Sequence, residues 1–306
     1  MTNRPPLVHV AQHMLNRPLA VTERHAPVVL SAIRSRLNLN LIYDVEGHPL
    51  DAGAMDHIAA AGRNAYDIRS ERRSESKIFT EDQGVAIIPI TGTLTRTWGL
   101  DPYSGMTGYD GIKAKLIAAL EDDSIDAILL DIDSPGGAVS GCFDLADLIF
   151  ASNETNGGKL IWSIANEQMC SAALALGCSA DRVFVPRTGE VGSVGVIWVY
   201  FNEQESLTQD GIQVRVFRNR KSPRKAEGNP YEQMSEEAEA RIFDELDEMF
   251  EFFVETVARG RGMSKKSVRD TQGLTYMGRH ARDVKFATDV ASDDQVWAQL
   301  MQRLGR

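Results

Sequence analysis

The feature that most constrains this chain is a change of texture at Gly84. From there, short apolar runs alternate with amphipathic stretches: GVAIIPITGTL, GYDGIKAKLIAALEDD, AILLDID, SGCFDLADLIFAS, KLIWSIAN, SAALALGCS, RVFVP and VGVIWVYF. Near-continuous apolar runs of this length suit parallel strands covered on both faces. The stretches between them space their apolar residues as helices do, with Ile112, Leu116, Ile117 and Leu120 sharing one face. This order predicts β-α-β units around a mostly parallel sheet, an α/β fold in which RVFVP and VGVIWVYF are both strands and SAALALGCS is a helix. The clearest helix spans residues 235–259. Ser235 can cap it, Glu236 and Glu237 sit where the helix dipole favours anions, and Ala238, Ile242, Leu246, Met249, Phe253 and Val257 form its apolar stripe.

Upstream, residues 1–77 read as an N-terminal extension and linker, and residues 78–306 as the main domain. HAPVVLSAIRSRL and DHIAAAGRNAY have partial helical periodicity, interrupted elsewhere by Pro5, Pro6, Pro18 and Pro27. The stretch RSERRSESK, residues 69–77, is charged and lacks an apolar period, as a linker would. No run approaches the ~20 continuous apolar residues of a membrane helix, and the N-terminus lacks a secretory pattern. A cytoplasmic protein is expected. The formal net charge of -10 disfavours generic attraction to nucleic acid or anionic membrane. Cys142, Cys170 and Cys178 have no CxxC spacing and no histidine nearby. They suggest reduced core thiols rather than a disulfide framework or a metal site, and no cofactor is expected.

Three segments could carry chemistry. The turn DSPGG, Asp133 to Gly137, combines a fixed proline dihedral with two glycines whose backbone N–H groups could face a ligand or an oxyanion. It could equally be a plain strand-to-helix turn. Ser171 falls where a strand gives way to a helix, so its hydroxyl is either a nucleophile or a helix cap. Cys170 beside it would need a cation or histidine to be a thiolate. No histidine occurs between Ser171 and His280, which also weakens a Ser-His-Asp triad. A lysine can replace histidine as the base if burial or neighbouring cations strip its proton. The segment FRNRKSPRKAEGNP supplies Lys221 and Lys225 among three arginines, but composition alone does not separate a base there from a solvated basic loop.

Taken together, DSPGG at 133–137, CSAALALGCSAD at 170–181, VGSVGV at 191–196 and RKAEGNP at 224–230 resemble, in order and spacing, the motifs of family S49 peptidases. This is the signal peptide peptidase A group with its phage head-maturation members. The resemblance covers roughly residues 84–290. It implies a ClpP/crotonase-like stack of β-α-β units and a Ser/Lys dyad: Ser171 as nucleophile, Lys225 as general base and Ser193 orienting that lysine. It also implies an oxyanion hole from the N–H groups of Gly137 and Ala172. Relatives often have glycine where Ala172 and Ala173 stand and histidine in place of Arg224. The expected activity is serine endopeptidase, acting on polypeptides such as phage capsid or scaffold proteins, in a homo-oligomeric ring. The alternatives are a cytosolic peptidase of signal-peptide remnants, a crotonase-type acyl-CoA enzyme and an inactive capsid-assembly factor.

Overall fold

A computed structural model of the chain describes residues 19–21, 77–102 and 105–306. The two helical segments expected within residues 1–68 lie outside the described residues. The main sheet is built on β3 (Val85–Thr91), β6 (Ala127–Ser134) and β8 (Leu160–Cys170), paired in parallel in that order. Its β3 edge is closed by antiparallel β2 (Thr80–Asp82). On the other side, β8 is long enough to serve two neighbours. Its first half pairs with β9 (Arg182–Val185) and its last three residues with β10 (Glu190–Gly192). The short strands β11 (Thr275–Met277) and β12 (Asp289–Val290) complete these two branches.

The apolar runs are continuous because alternate residues face two different cores. Ile88, Ile90, Ile128, Leu130, Ile132 and Ile161 point into one. Against it pack α1 (Tyr109–Glu121), α2 (Cys142–Ser152), α3 (Ala172–Gly177) and the C-terminal half of α5 (Glu236–Arg261). Leu129, Leu160, Trp162 and Ile164 point into the other, under Val296, Leu300 and Met301 of α6 (Asp293–Arg303). The crossovers α1, α2 and α3 join successive parallel strands, which gives the β-α-β stack expected from the sequence.

Strands β3 and β6 do not end at the sheet edge. Each bends at its C-terminal end into a second, four-stranded sheet. Gly92 turns the chain from β3 into β4 (Thr93–Thr95), and Pro135 turns it from β6 into β7 (Gly136–Ala138). The order of this sheet is β1 (Leu19–Val21), β7, β4, β5 (Met106–Gly108). The expected single strand GVAIIPITGTL is therefore two strands in two sheets.

VGVIWVYF, expected as a strand, is irregular. Beyond β10 the chain turns at Ser193, at φ 58, and leaves the sheet. Val194 stays in the core at 1 % exposed, but from Val196 onward its apolar residues are half-buried or exposed in the single chain: Phe201 is 46 % and, further on, Phe217 80 % exposed. The segment includes a short helix, α4 (Gln204–Gln209), and rejoins the fold at α5. There the Ser235 hydroxyl accepts the Ala238 N–H at 3.2 Å, and Gly262 ends the helix at φ 60. Only the C-terminal part of the expected stripe, Phe253 and Val257, is fully buried, with Ala238 at the start. Ile242, Leu246 and Met249 are half-covered.

Candidate active site

The site forms where the two sheets meet. Strand β8 runs four residues past the expected end at Asn166, to Cys170, and Ser171 makes the corner into α3. Ser171 has φ 52 and ψ -123, the first-corner geometry of a type II′ turn that glycine ordinarily dominates. A side chain held there is strained, typically by ~1–3 kcal/mol, and persists only where the surroundings impose it. Here both ends are pinned. The Ser171 N–H donates to the Gly192 carbonyl at 2.8 Å, and its own carbonyl accepts from the Ala175 N–H at 3.1 Å. The hydroxyl makes no capping bond to the helix. It points instead to the Gly195 carbonyl, 3.5 Å away. Of the two readings of Ser171, the cap is thus excluded, and an available hydroxyl at a strained strand-to-helix corner remains.

Beside it lies the DSPGG turn. Ser134 is fully buried and anchors the turn: its hydroxyl donates to the Gly92 carbonyl at 2.6 Å and accepts the Gly136 N–H at 3.2 Å. Gly136 has φ 105, and a Cβ there would come within 2.9 Å of Ser171 Cβ and 3.0 Å of the Cys170 carbonyl. Gly137 is glycine for a different reason. It pairs with Leu94 of β4, and a Cβ would sit 2.5 Å from the Leu94 backbone nitrogen and carbonyl carbon. The fold thus brings Ser171, Ala172, Gly136 and Gly137 into one corner. Ala172 opens α3, so its N–H has no acceptor within that helix.

The electrostatics of the corner disfavour a thiolate at Cys170. Burial, with the Glu190 charge adding, pushes the Cys170 thiol up to about 12, and its Sγ lies 3.7 Å from the Glu190 carbonyl oxygen. Cys142 and Cys178 are likewise buried and free, each with its thiol pushed up to about 12 by burial. Asp133 is raised above the usual carboxylate range by burial first and the Glu167 charge second, opposed by hydrogen bonds from Gln168. Its Oδ1 is buried without a hydrogen-bond partner among the described residues.

Ser193, the second serine with positive φ, follows β10 directly, and its N–H donates to the Leu274 carbonyl at 3.0 Å. Gly192 and Gly195, on either side of it, both contact Ser171. Lys225 lies on a 3-10 turn, Pro223–Ala226, and is exposed in the single chain, as are Arg224 and Lys221. Among the described residues no hydrogen bond links it to Ser171. Sequence reasoning missed the Gly195 carbonyl, the Ser134 anchor and the closeness of Gly136 to the serine. Of these, only the serine–proline–glycine–glycine turn left a mark in the sequence.

A parallel sheet with helices packed on it, and a serine on a strained strand-to-helix corner whose hydroxyl makes no capping bond, define an α/β protein with an uncommitted serine at the junction of its two sheets. Comparison with known proteins then gives the family. The family model for peptidase family S49 matches residues 153–305. The chain is 34 % identical over 289 residues to capsid assembly protease C of Escherichia phage lambda, covering 94 % of this chain and 63 % of that protein. It is 30 % identical over 298 residues to head-tail preconnector protein GP5 of Enterobacteria phage P21, covering 95 % and 56 % respectively. Among solved structures, a ClpP1 mutant from Listeria monocytogenes is similar with a TM-score of 0.40 and 13 % identity, over 68 % of this chain and 91 % of that one. The chain belongs to peptidase family S49. It spans less than two thirds of the length of these two phage relatives.

Proposed function

We propose that the chain is a serine endopeptidase that cuts phage capsid or scaffold polypeptides during head assembly. The observation that carries this reading is the Ser171 corner: a non-glycine residue at φ 52, held against Gly136 of β7, with its hydroxyl uncommitted to the helix. Membership of family S49 and similarity to a relative named as a capsid assembly protease support it.

In this mechanism the Ser171 hydroxyl gives its proton to the Lys225 amine as its oxygen attacks a peptide carbonyl carbon. The negative charge on the carbonyl oxygen is held by the N–H groups of Gly137 and Ala172, dipoles already fixed by strand pairing and helix start. Lys225 then returns the proton to the leaving amine, and water releases the acyl group from Ser171. Ser193 positions the lysine. Because Lys225 is exposed in one chain, the dyad closes in an assembled oligomer, where the segment from Ser193 to Pro230 becomes covered. The exposed Ile212, Phe217, Tyr231 and Phe243, and the half-covered stripe at the start of α5, are the surface that assembly would bury. Among the described residues no helix is long and apolar enough to cross a membrane.

The test is cleavage of phage scaffold and capsid proteins, with casein as a general substrate beside them. Wild-type chain is expected to cut scaffold or capsid protein at discrete sites and Ser171→Ala to cut nothing. Equal cleavage by both would assign the activity elsewhere.

A further inference from the structure

Strand β7 carries the glycine assigned to the oxyanion hole, and its place in the second sheet is between β4 and β1. Without β1 it would be an edge strand, with open backbone donors and acceptors beside Ser171. Such an edge is where an extended polypeptide adds as a further strand. In this structure the position is filled by the chain's own extension. Leu19, Ala20 and Val21 pair antiparallel with Ala138, Gly137 and Gly136, so that Ala20 stands opposite Gly137.

Three details make this a substrate-like seat. Ala20 is 1 % exposed, its small side chain taken into the core beside the site. The space next to Gly136 is bounded by the Ala20 carbonyl oxygen on one side and by Ser171 Cβ on the other. A peptide carbonyl and the nucleophile's carbon therefore face the same small gap. Finally, the strand has only three residues and is separated by the charged stretch 69–77 from the domain it docks on. A pairing so short can be displaced by a competitor.

We infer that residues 19–21 act as an internal pseudosubstrate: the extension occupies the groove along β7 and competes there with polypeptide substrates. The inference rests on the peptidase reading of Ser171 and adds to it the occupant of the groove and a rule for entry. A substrate must present an extended segment with a small residue opposite Gly137, and must displace the chain's own strand. If the free groove is a minor state, apparent substrate affinity falls by the fraction of chains in which it is open.

Hydrogen exchange on the full chain carrying Ser171→Ala reads the seat without reference to catalysis. Amides of residues 19–21 are expected to exchange at least about tenfold more slowly than in a Ser171→Ala/Ala20→Arg chain, whose bulky charged side chain cannot enter the core. Fast exchange in both overturns the inference. In chains that keep Ser171, Ala20→Arg is expected to cut casein about five- to tenfold faster than wild type, by the same open-fraction argument. A difference below twofold, in chains that do cut casein, overturns the inference and leaves the peptidase reading intact. Protected amides with no casein or scaffold cleavage by any variant overturn the pseudosubstrate role and trace the failure to the peptidase reading itself. Wild-type chain recovered with Val21 as its first residue, absent from Ser171→Ala, supports the seat as one that Ser171 can reach.

Discussion

Replacing Gly137 by alanine separates geometry from chemistry, because alanine keeps the N–H that the oxyanion hole needs. The added Cβ would lie 2.5 Å from the Leu94 backbone nitrogen and carbonyl carbon, where ordinary contact begins near 3.4 Å. It would overlap the Leu94 carbonyl oxygen more deeply still, so strands β7 and β4 must part by at least about 1 Å. Both neighbours of the clash are backbone, so no side chain can swing away to absorb it. Overpacking of this kind typically costs ~1–3 kcal/mol, and at ~2–4 °C per kcal/mol the melting temperature should fall by roughly 2–12 °C. The same displacement shifts the Gly137 N–H proposed for the oxyanion hole, and a misplacement of about 1 Å can cost ~100-fold in rate. Thermal melts of wild type and Gly137→Ala, paired with casein cleavage measured well below both transitions, provide the check. A variant that melts within 1 °C of wild type and cleaves at the same rate would show that β4 and β7 are not so close, and the account of the oxyanion strand would be wrong.

Other expectations follow from named contacts. Asp133 keeps its proton longer in the folded chain than in the unfolded one, so its effect on stability becomes unfavourable as pH rises above ~4, through its raised folded value. Asp133→Asn should therefore melt higher than wild type at pH 7, with the gap closing toward pH 4. A gap that widens on acidification would contradict this. Ser235→Ala removes the cap on α5 and should cost ~1 kcal/mol in urea unfolding. If the proposed oligomer forms through this surface, Phe217→Glu, at a side chain 80 % exposed in the single chain, should shift sedimentation to smaller species without lowering helix content. An unchanged oligomer would place the contact surface elsewhere.

How much was legible in the sequence depended on how local the cause was. β3, β6, β8 and β9 were readable because burial on both faces writes a continuous apolar run. Helix α1 was readable, and Ile112 and Leu116 are buried as expected, but the rest of its buried face is not the expected one. Tyr109 is buried with its hydroxyl donating to the Ala138 carbonyl, Lys115 is buried with an ion pair to Asp101, and Ile117 and Leu120 are only half-covered. Polar groups with specific partners thus took core positions that a pattern of apolar residues cannot reveal. VGVIWVYF failed in the opposite sense. Apolar content implied a strand, but the chain leaves the sheet at Ser193, keeps only Val194 in the core and leaves the rest half-buried or exposed. At the site, Ser171 was found as a serine at a strand-to-helix junction, while its backbone strain could only appear in three dimensions. The need for glycine at 137 is a matter of strand-to-strand approach, and the pairing of residues 19–21 with β7 spans more than a hundred positions. Neither leaves a local trace.

The whole account turns on whether Ser171 is a nucleophile that Lys225 activates. A fluorophosphonate probe, followed by peptide mass mapping of the assembled protein, tests this directly. One adduct, on Ser171, is expected in wild type, together with its loss in Lys225→Ala, a variant that should melt as wild type does because that side chain is exposed. An adduct on a different residue, or undiminished labelling of Ser171 when Lys225 is alanine, would contradict the account.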